Sequence, residues 1–420
     1  MHWKTLLNEA IDRARHGKLS EAVALFDQVL RLQPTYGKAY YNRACALSDL
    51  GRIREAISDF SEAVKINPLY VNAYLNRGNI YRQQGNYVAA MADFEAALQI
   101  QPDSAKAYGS RGLTYLAQGY CKAAIRDFDQ GIACSPKFAK LYLWRGCAYL
   151  QQGVHQQAIA DFNEAVTYKP SLADAYHSRG LAYMGLGNLY QAIADMNQAI
   201  ELNPGLIEAY GNRGMLRHKL GDTEGAVADY QKVMTLTSEW PSADSMGANT
   251  DAPEGAHHRT RAGITQTYEN TAALPPQMAE IYNNRGNLRA ELGDLIGAIA
   301  DYSKALSIDP AKARTYNNRG LLQFQLGRRE SALADFSEAI RLDPQYAAAY
   351  NNRGNVYYQI GNAEDAFRDF TIALTLDPNL SEAYISRAQI KADTNDSEGA
   401  LLDYQRALNL REQPYASLPD

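Results

Sequence analysis

Ten prolines stand in register along this 420-residue chain. Pro34, Pro68, Pro102, Pro136, Pro170 and Pro204 follow one another at intervals of 34 residues, and Pro276, Pro310, Pro344 and Pro378 resume the same interval after a gap. A fixed period of this length marks an array of one supersecondary unit. In such an array each unit packs only on its neighbours, so added length means added units and not added domains. The repeat therefore overrides the two or three globular domains that chain length alone would predict.

Val71 to Ser104 shows the unit. Tyr74, Gly78 and Tyr81 fall at i, i+4 and i+7, one face of a helix, and Ala90, Phe94 and Ala97 repeat that spacing on a second. Gly85 supplies the stop of the first helix and the turn. Pro102 ends the second, because proline cannot continue a helix. Each unit is predicted to be a helix hairpin, with small residues where its two helices touch.

This pattern of aromatic, Gly, Tyr, then Ala, Phe, Ala and Pro resembles the tetratricopeptide repeat (TPR) at almost every signature position. With Val71 counted as position 1, position 20 is alanine in all eleven units, from Ala22 to Ala400, and position 4 is tyrosine in ten, from Tyr40 to Tyr384. The resemblance covers nearly the whole chain and implies an all-α fold, a right-handed α-α superhelix of antiparallel helix hairpins.

The organisation expected is an N-terminal array of seven repeats over 1–240, a linker over 241–278, a C-terminal array of four repeats over 279–414 and a tail over 415–420. Residues 241–259 are small, polar and aperiodic, the composition of a linker. Two roles are open to it: a disordered tether, or a hinge between two blocks. His257 and His258 are there to be weighed as metal ligands or as solvated side chains. Thr265 to Leu274 reads as a weak helix. The last repeat has Asn395 where the others have Gly, and no amphipathic helix follows it. Its final helix, from about Ser397 to Leu410, is left with an uncovered side, which is either a polar outer face or a surface for self-association through the uncapped C-terminal repeat.

Position 7, apolar in most of the family, is Arg in ten units, among them Arg77 and Arg319. Position 23 is Asp in the same ten, among them Asp93 and Asp335. The first unit lacks both, carrying Glu9 and Leu25. Joint loss is what a pair inside one unit would produce, so an Arg–Asp bridge from first helix to second is expected. The alternative is an Arg row that binds acidic ligands. Position 7 lies among apolar positions 4, 8 and 11, which favours the structural role.

The family resemblance places positions 2, 5, 6, 9 and 12 on the inner wall of the superhelix. Position 6 reads Asn42, Asn76, Ser110, Trp144, Ser178, Asn212, Asn284, Asn318, Asn352 and Ser386. Such a column is similar to the asparagine ladder of O-GlcNAc transferases and of armadillo-type nuclear import adaptors. An Asn amide offers a donor and an acceptor, so it pairs with a peptide unit whatever the ligand's side chains are. The candidate peptide-binding groove comprises Asn42, Asn76, Trp144 and Asn212, with Asn283, Asn284 and Asn287, Asn317 and Asn318, and Asn351, Asn352 and Asn355. Trp144 is read as an anchoring pocket. The wall positions Leu113, Leu116 and Leu143 either line the groove or pack between neighbouring first helices. No unit has Lys at position 5 or Arg at position 6, so the carboxylate clamp of co-chaperone TPRs is not expected.

Apolar content is 46%, charged content 21% and net charge −5, which suits a folded protein and argues against nucleic acid as the default partner, since phosphate binding needs a basic face. Cys45, Cys121, Cys134 and Cys147 are scattered, with no metal-ligand spacing and no disulfide framework. No signal-peptide core and no membrane span are evident, so the expected location is cytoplasmic. The stretch outside repeats is too short for a catalytic domain, and no phosphate loop, zinc spacing or nucleophile motif is present. No cofactor and no enzymatic activity are expected. The chain reads as a scaffold that binds extended or helical segments of other proteins in its groove. The alternatives are an assembly factor working through repeat edges or the uncapped end, and a regulatory subunit of a separately encoded enzyme.

Overall fold

A computed structural model describes residues 2–238 and 276–412. Among them the chain is all-α: twenty-two helices in chain order pair into eleven hairpins, with no strand. Repeat 3 is typical, with its first helix at Val71–Gln83 and its second at Tyr87–Ile100. Gly85 joins them at φ 73°, in the left-handed region that closes a helix without a Cβ penalty. The Asn86 side chain accepts from the Ala89 N–H at 3.2 Å and caps the second helix.

The core of each hairpin is one aromatic or Met at position 24 against a small residue at position 8. Phe94 is fully buried, and a Cβ on Gly78 would come within 2.7 Å of its Cε1. Gly112 with Phe128, Gly146 with Phe162 and Gly354 with Phe370 repeat the arrangement. The alanine at position 20 is buried beside it in every repeat, from Ala22 to Ala400. Burial of these residues on both helices is what holds each hairpin shut.

Two compact units are distinguished, residues 2–209 and residues 210–238 with 276–412. The division falls inside the first helix of repeat 7, Ile207–Lys219, and not at the expected linker. Repeat 7 belongs chiefly to the second unit because its second helix, Thr223–Ser238, carries the first helix of repeat 8, Pro276–Glu291. Tyr230 and Ala226 are buried with Leu288, and Ile281 packs half-buried against them. Arg285 donates from Nη1 to the Gln231 Oε1, and the Thr237 hydroxyl lies 3.8 Å from the Met278 Sδ. Repeats 7 and 8 thus stack as consecutive repeats although 37 residues separate their described helices. The expected linker's last three residues, Pro276 to Met278, are the first turn of that helix. The remaining expectations for this stretch, the hinge, His257 and His258 and the helix over Thr265 to Leu274, lie outside the described residues, as does the tail over 415–420. The final helix runs Ser397–Glu412.

Candidate functional site

Position 7 is where the repeats are fastened. In all ten repeats that have it, the Arg fork grips both carboxylate oxygens of the position-23 Asp in its own repeat, with Nε and Nη2 at 2.5–2.9 Å. Arg77 with Asp93 and Arg319 with Asp335 are two of them. The Asp carboxylates are buried and the guanidinium faces lie 5.3–5.8 Å from the ring of the position-4 Tyr. Bidentate geometry and ring stacking are what Arg, and not Lys, provides. Hydrogen bonding to Asp93 raises the Arg77 pKa above its ordinary value, and Asp335 does the same for Arg319.

The third nitrogen, Nη1, reaches back to the preceding repeat. Arg43 donates to Asp27 at 2.5 Å, Arg77 to Ser61 at 2.9 Å, Arg145 to Asp129 at 2.6 Å and Arg179 to Asn163 at 2.8 Å. In the second unit Arg319 reaches Ser303 at 3.0 Å and Arg353 reaches Ser337 at 3.2 Å. These acceptors all sit at position 25, which sequence reasoning did not single out. The signal was there: position 25 holds a side-chain oxygen in every repeat, from Asp27 to Gln405. With the fork committed to Asp in all ten repeats and Nη1 committed backward in these six, the arginines do not form an open row for an acidic ligand.

The asparagine column is half-buried and tied backward along the stack. Asn76 donates from Nδ2 to the Tyr41 hydroxyl at 3.2 Å. Asn318 donates to the Asn287 Oδ1 at 3.2 Å, and Asn352 to the Asn317 Oδ1 at 2.9 Å. Ser386 takes the same place, donating to the Asn355 Oδ1 at 3.1 Å, and the Asn283 Oδ1 accepts from Thr315 at 3.0 Å. Asn284 is half-buried beside Tyr230 at the junction of repeats 7 and 8. Among the described residues, the Oδ1 atoms of Asn76, Asn318 and Asn352 accept no hydrogen bond. Asn42 and Asn212 are half-buried too, and the Asn42 Nδ2 is enclosed without a partner. Asn317 and Asn351 are core residues, the second with an enclosed Oδ1 that has no partner.

Trp144 corrects the expectation of an anchor on the wall. It is 8% exposed and packs between Phe128 and Phe138, each with its centroid 6.2 Å away. The reason is in the preceding repeat, where position 5 is Gly109 and the indole fills the space a side chain would take. A Cβ there would lie 2.8 Å from the Trp144 Cζ3. Leu113, Leu116 and Leu143 are buried in the same cluster, so they pack between neighbouring first helices.

The sequence matches the Tetratricopeptide repeat family over residues 41–105, 173–206, 207–239 and 347–380, and the description TPR repeat over 148–187, 286–327 and 323–361. Together these segments span more than half of the chain. The chain belongs to the tetratricopeptide repeat family. No curated protein matches it. Solved TPR structures to which it is similar include a tetratricopeptide repeat protein from Parabacteroides merdae, at 21% identity and TM-score 0.48, covering 59% of this chain and 94% of that one. PilW, a type IV pilus biogenesis factor, is 21% identical at TM-score 0.45, with 48% of this chain and 94% of that one covered. MamA is 25% identical at TM-score 0.36, with coverage of 39% and 95%.

The remaining chemistry of this TPR protein is quiet. Among the described residues no group of His, Cys, Asp and Glu is placed to hold a metal ion, and no helix is long and apolar enough to cross a membrane. Burial pushes the Cys147 thiol up to about 12, which keeps it protonated and unreactive. Burial likewise lowers the His177 pKa, with Glu208 and Asp174 pulling the other way.

Proposed function

We propose that this TPR protein is a cytoplasmic, non-catalytic scaffold that binds extended or helical segments of partner proteins along the first-helix wall of its repeats. The observation that carries the reading is the division of labour within the asparagine amides. In Asn76, Asn318 and Asn352 the Nδ2 is spent on the preceding repeat, which fixes the amide's orientation, and the Oδ1 is left uncommitted. Oriented acceptors in consecutive repeats, as at Asn318 and Asn352, suit the N–H groups of an extended chain, and their ordering cost is met in advance by the stack. The binding residues under this reading are Asn284, Asn318 and Asn352, with Asn76 in the first unit.

Affinity purification with the wild-type chain and with an Asn318→Ala/Asn352→Ala variant tests it, with helicity and Tm checked in parallel. Partner recovery should fall while the fold persists. Undiminished recovery sinks the groove reading for the second unit.

A second reading rests on the final helix. Leu401, Leu402 and Leu408 are 57–59% exposed, whereas Leu374, which holds the place of Leu408 one repeat earlier, is 6% exposed. This apolar end supports self-association or assembly through the C-terminal repeat. Sedimentation of the wild-type chain against Leu402→Lys/Leu408→Lys over a range of concentrations decides it. Identical monomeric behaviour removes this reading.

A further inference from the structure

The first unit carries lysines where helix electrostatics disfavours them. Lys4, Lys38, Lys106 and Lys140 lie in the first turns of the first helices of repeats 1, 2, 4 and 5, at His2–Arg15, Gly37–Asp49, Ala105–Ala117 and Ala139–Gln151. None of these turns holds an acidic residue. A helix N-terminus is the positive end of the dipole, so a cation there is unfavourable. The placement is concentrated in the first five repeats: the equivalent residues of repeats 6, 7, 8 and 11 are Asp174, Glu208, Glu280 and Glu382, and of the later repeats repeat 9 alone has a cation there, Arg314.

Lys4 lies over the Trp3 ring, but the others are uncommitted. Lys38, Lys106 and Lys140, and Lys137 in the loop before repeat 5, are exposed, and among the described residues none has an ion-pair partner. Elsewhere lysines do pair: Lys65 lies 3.3 Å from Glu62, Lys312 lies 3.4 Å from Asp309, and Lys391 lies 2.9 Å from Asp403.

A cavity of about 520 Å³ opens among them, where the first turns of repeats 3 and 4 meet the loop into repeat 5. Its apolar wall is Val71, Leu75 and Phe138, its cations are Lys106 and Lys137, and Asp103 is its acid. Pockets of this size take a side chain or a short ligand segment. A cation row around an apolar cavity selects a chain of opposite charge that also has something to bury.

We propose that this pocket docks an acidic segment of a partner protein, which places one apolar side chain against Val71, Leu75 and Phe138 and its carboxylates on Lys106 and Lys137, with Lys38 and Lys140 extending the basic row on either side. The inference rests on the scaffold reading but not on the asparagine column of the second unit. Polypeptide is favoured over nucleic acid because the wall is aliphatic apart from Phe138 and offers no aromatic platform on which successive bases could stack.

The test uses the full chain and a fluorescein-labelled peptide, Glu-Glu-Leu-Glu-Glu, followed by anisotropy at low and high salt. Carbodiimide cross-linking of the same peptide, mapped by mass spectrometry, reports where it sits. The acidic peptide should bind and Lys-Lys-Leu-Lys-Lys should not, and Glu-Glu-Ser-Glu-Glu should bind more weakly. Lys106→Glu/Lys137→Glu should lower affinity roughly tenfold or more, as reversal of two charge contacts does. Lys106→Gln/Lys137→Gln should lower it less. Cross-links should concentrate at Lys106 and Lys137. Asn318→Ala/Asn352→Ala should leave all of this unchanged, which separates failure here from failure of the asparagine reading. Absence of binding to the wild-type chain overturns the proposal, as do equal binding by the Lys→Glu variant, cross-links spread evenly over the lysines of both units, or tighter binding of a labelled single-stranded oligonucleotide.

Discussion

Arg319 holds Asp335 by both carboxylate oxygens, at 2.8 and 2.7 Å, and uses its third nitrogen to hold Ser303 of the preceding repeat at 3.0 Å. One guanidinium therefore joins three helices: the two of its own hairpin and the second helix of the hairpin before. Asp335 is buried, so removing it leaves a largely enclosed cation without its counter-charge. Asp335→Ala should destabilise the second unit by about 3–5 kcal/mol. Ser303→Ala, which removes only the inter-repeat arm, should cost about 0.5–1.5 kcal/mol. Asp335→Ala/Arg319→Met should be less destabilised than Asp335→Ala alone, because the stranded charge is gone. Urea unfolding of the three variants measures this. Equal costs for the Asp335 and Ser303 substitutions would show that the fork contributes no more than an ordinary hydrogen bond.

Trp144 and Gly109 make a complementary pair across two repeats. Trp144→Ala should cost about 3–5 kcal/mol through the cavity it leaves. Gly109→Ala should cost about 1–3 kcal/mol, since its Cβ would have to displace the indole from 2.8 Å. Thermal unfolding reads both. A cost below that of an ordinary surface substitution for Trp144→Ala would return the indole to the role of a binding anchor.

What the sequence disclosed and what it concealed divide along the same line. Interactions within one repeat leave a mark at a fixed position, and joint loss of Arg and Asp in repeat 1 was enough to pair position 7 with position 23. Interactions between repeats leave weaker marks. The acceptor for Nη1 needs only an oxygen, so position 25 varies among Asp, Glu, Ser, Thr, Asn and Gln, and its mark is a shared atom type and not a shared residue. The indole of Trp144 is placed by a glycine 35 residues earlier, which no reading of its own column reveals. That Asn76, Asn318 and Asn352 commit the donor half of their amides to the preceding repeat could not be read, because a committed amide and a free one are the same residue in sequence. The stacking of repeat 8 on repeat 7 was hidden for a different reason: the linker composition between them says nothing about whether the helices on either side meet.

The terminal repeat should show its own acid transition. Burial pushes the Asp403 carboxyl up, but hydrogen bonds from Arg387 and from Lys391 outweigh it and hold the group below the ordinary carboxylate value. A folded-state pKa below the unfolded value of about 3.9 means the unfolded chain binds the proton more readily. Stability from this group is then present in full above that unfolded value and is lost as pH falls through the lower, folded one. Amide exchange of Ser397–Glu412 against pH should report the loss on the acid side only. Lys391→Met removes one of the two cations and should move the onset to higher pH. An unchanged onset would assign the depression to Arg387 alone.

Asn395 is the one non-glycine residue with positive φ among the described residues, at 65°, in the turn where ten other repeats place Gly at 73–84°. Space does not explain those glycines, since a Cβ on any of them would meet nothing within 4 Å. The backbone conformation does: a Cβ in the left-handed region crowds the following carbonyl, at roughly 1–2 kcal/mol, a penalty Asn bears better than most. Asn395→Gly relieves that crowding but adds freedom to the unfolded chain, a loss of about 0.5–1 kcal/mol. The net expectation is a stabilisation of about 0.5–1 kcal/mol. Because repeats couple mainly to their neighbours, the gain should appear as slower amide exchange in Ser381–Asp393 and Ser397–Glu412, while the first unit stays unchanged. Gly361→Asn, the reverse change one repeat earlier, should cost a similar amount. If Asn395→Gly instead accelerates exchange, the Asn side chain is contributing a local interaction that outweighs its backbone penalty.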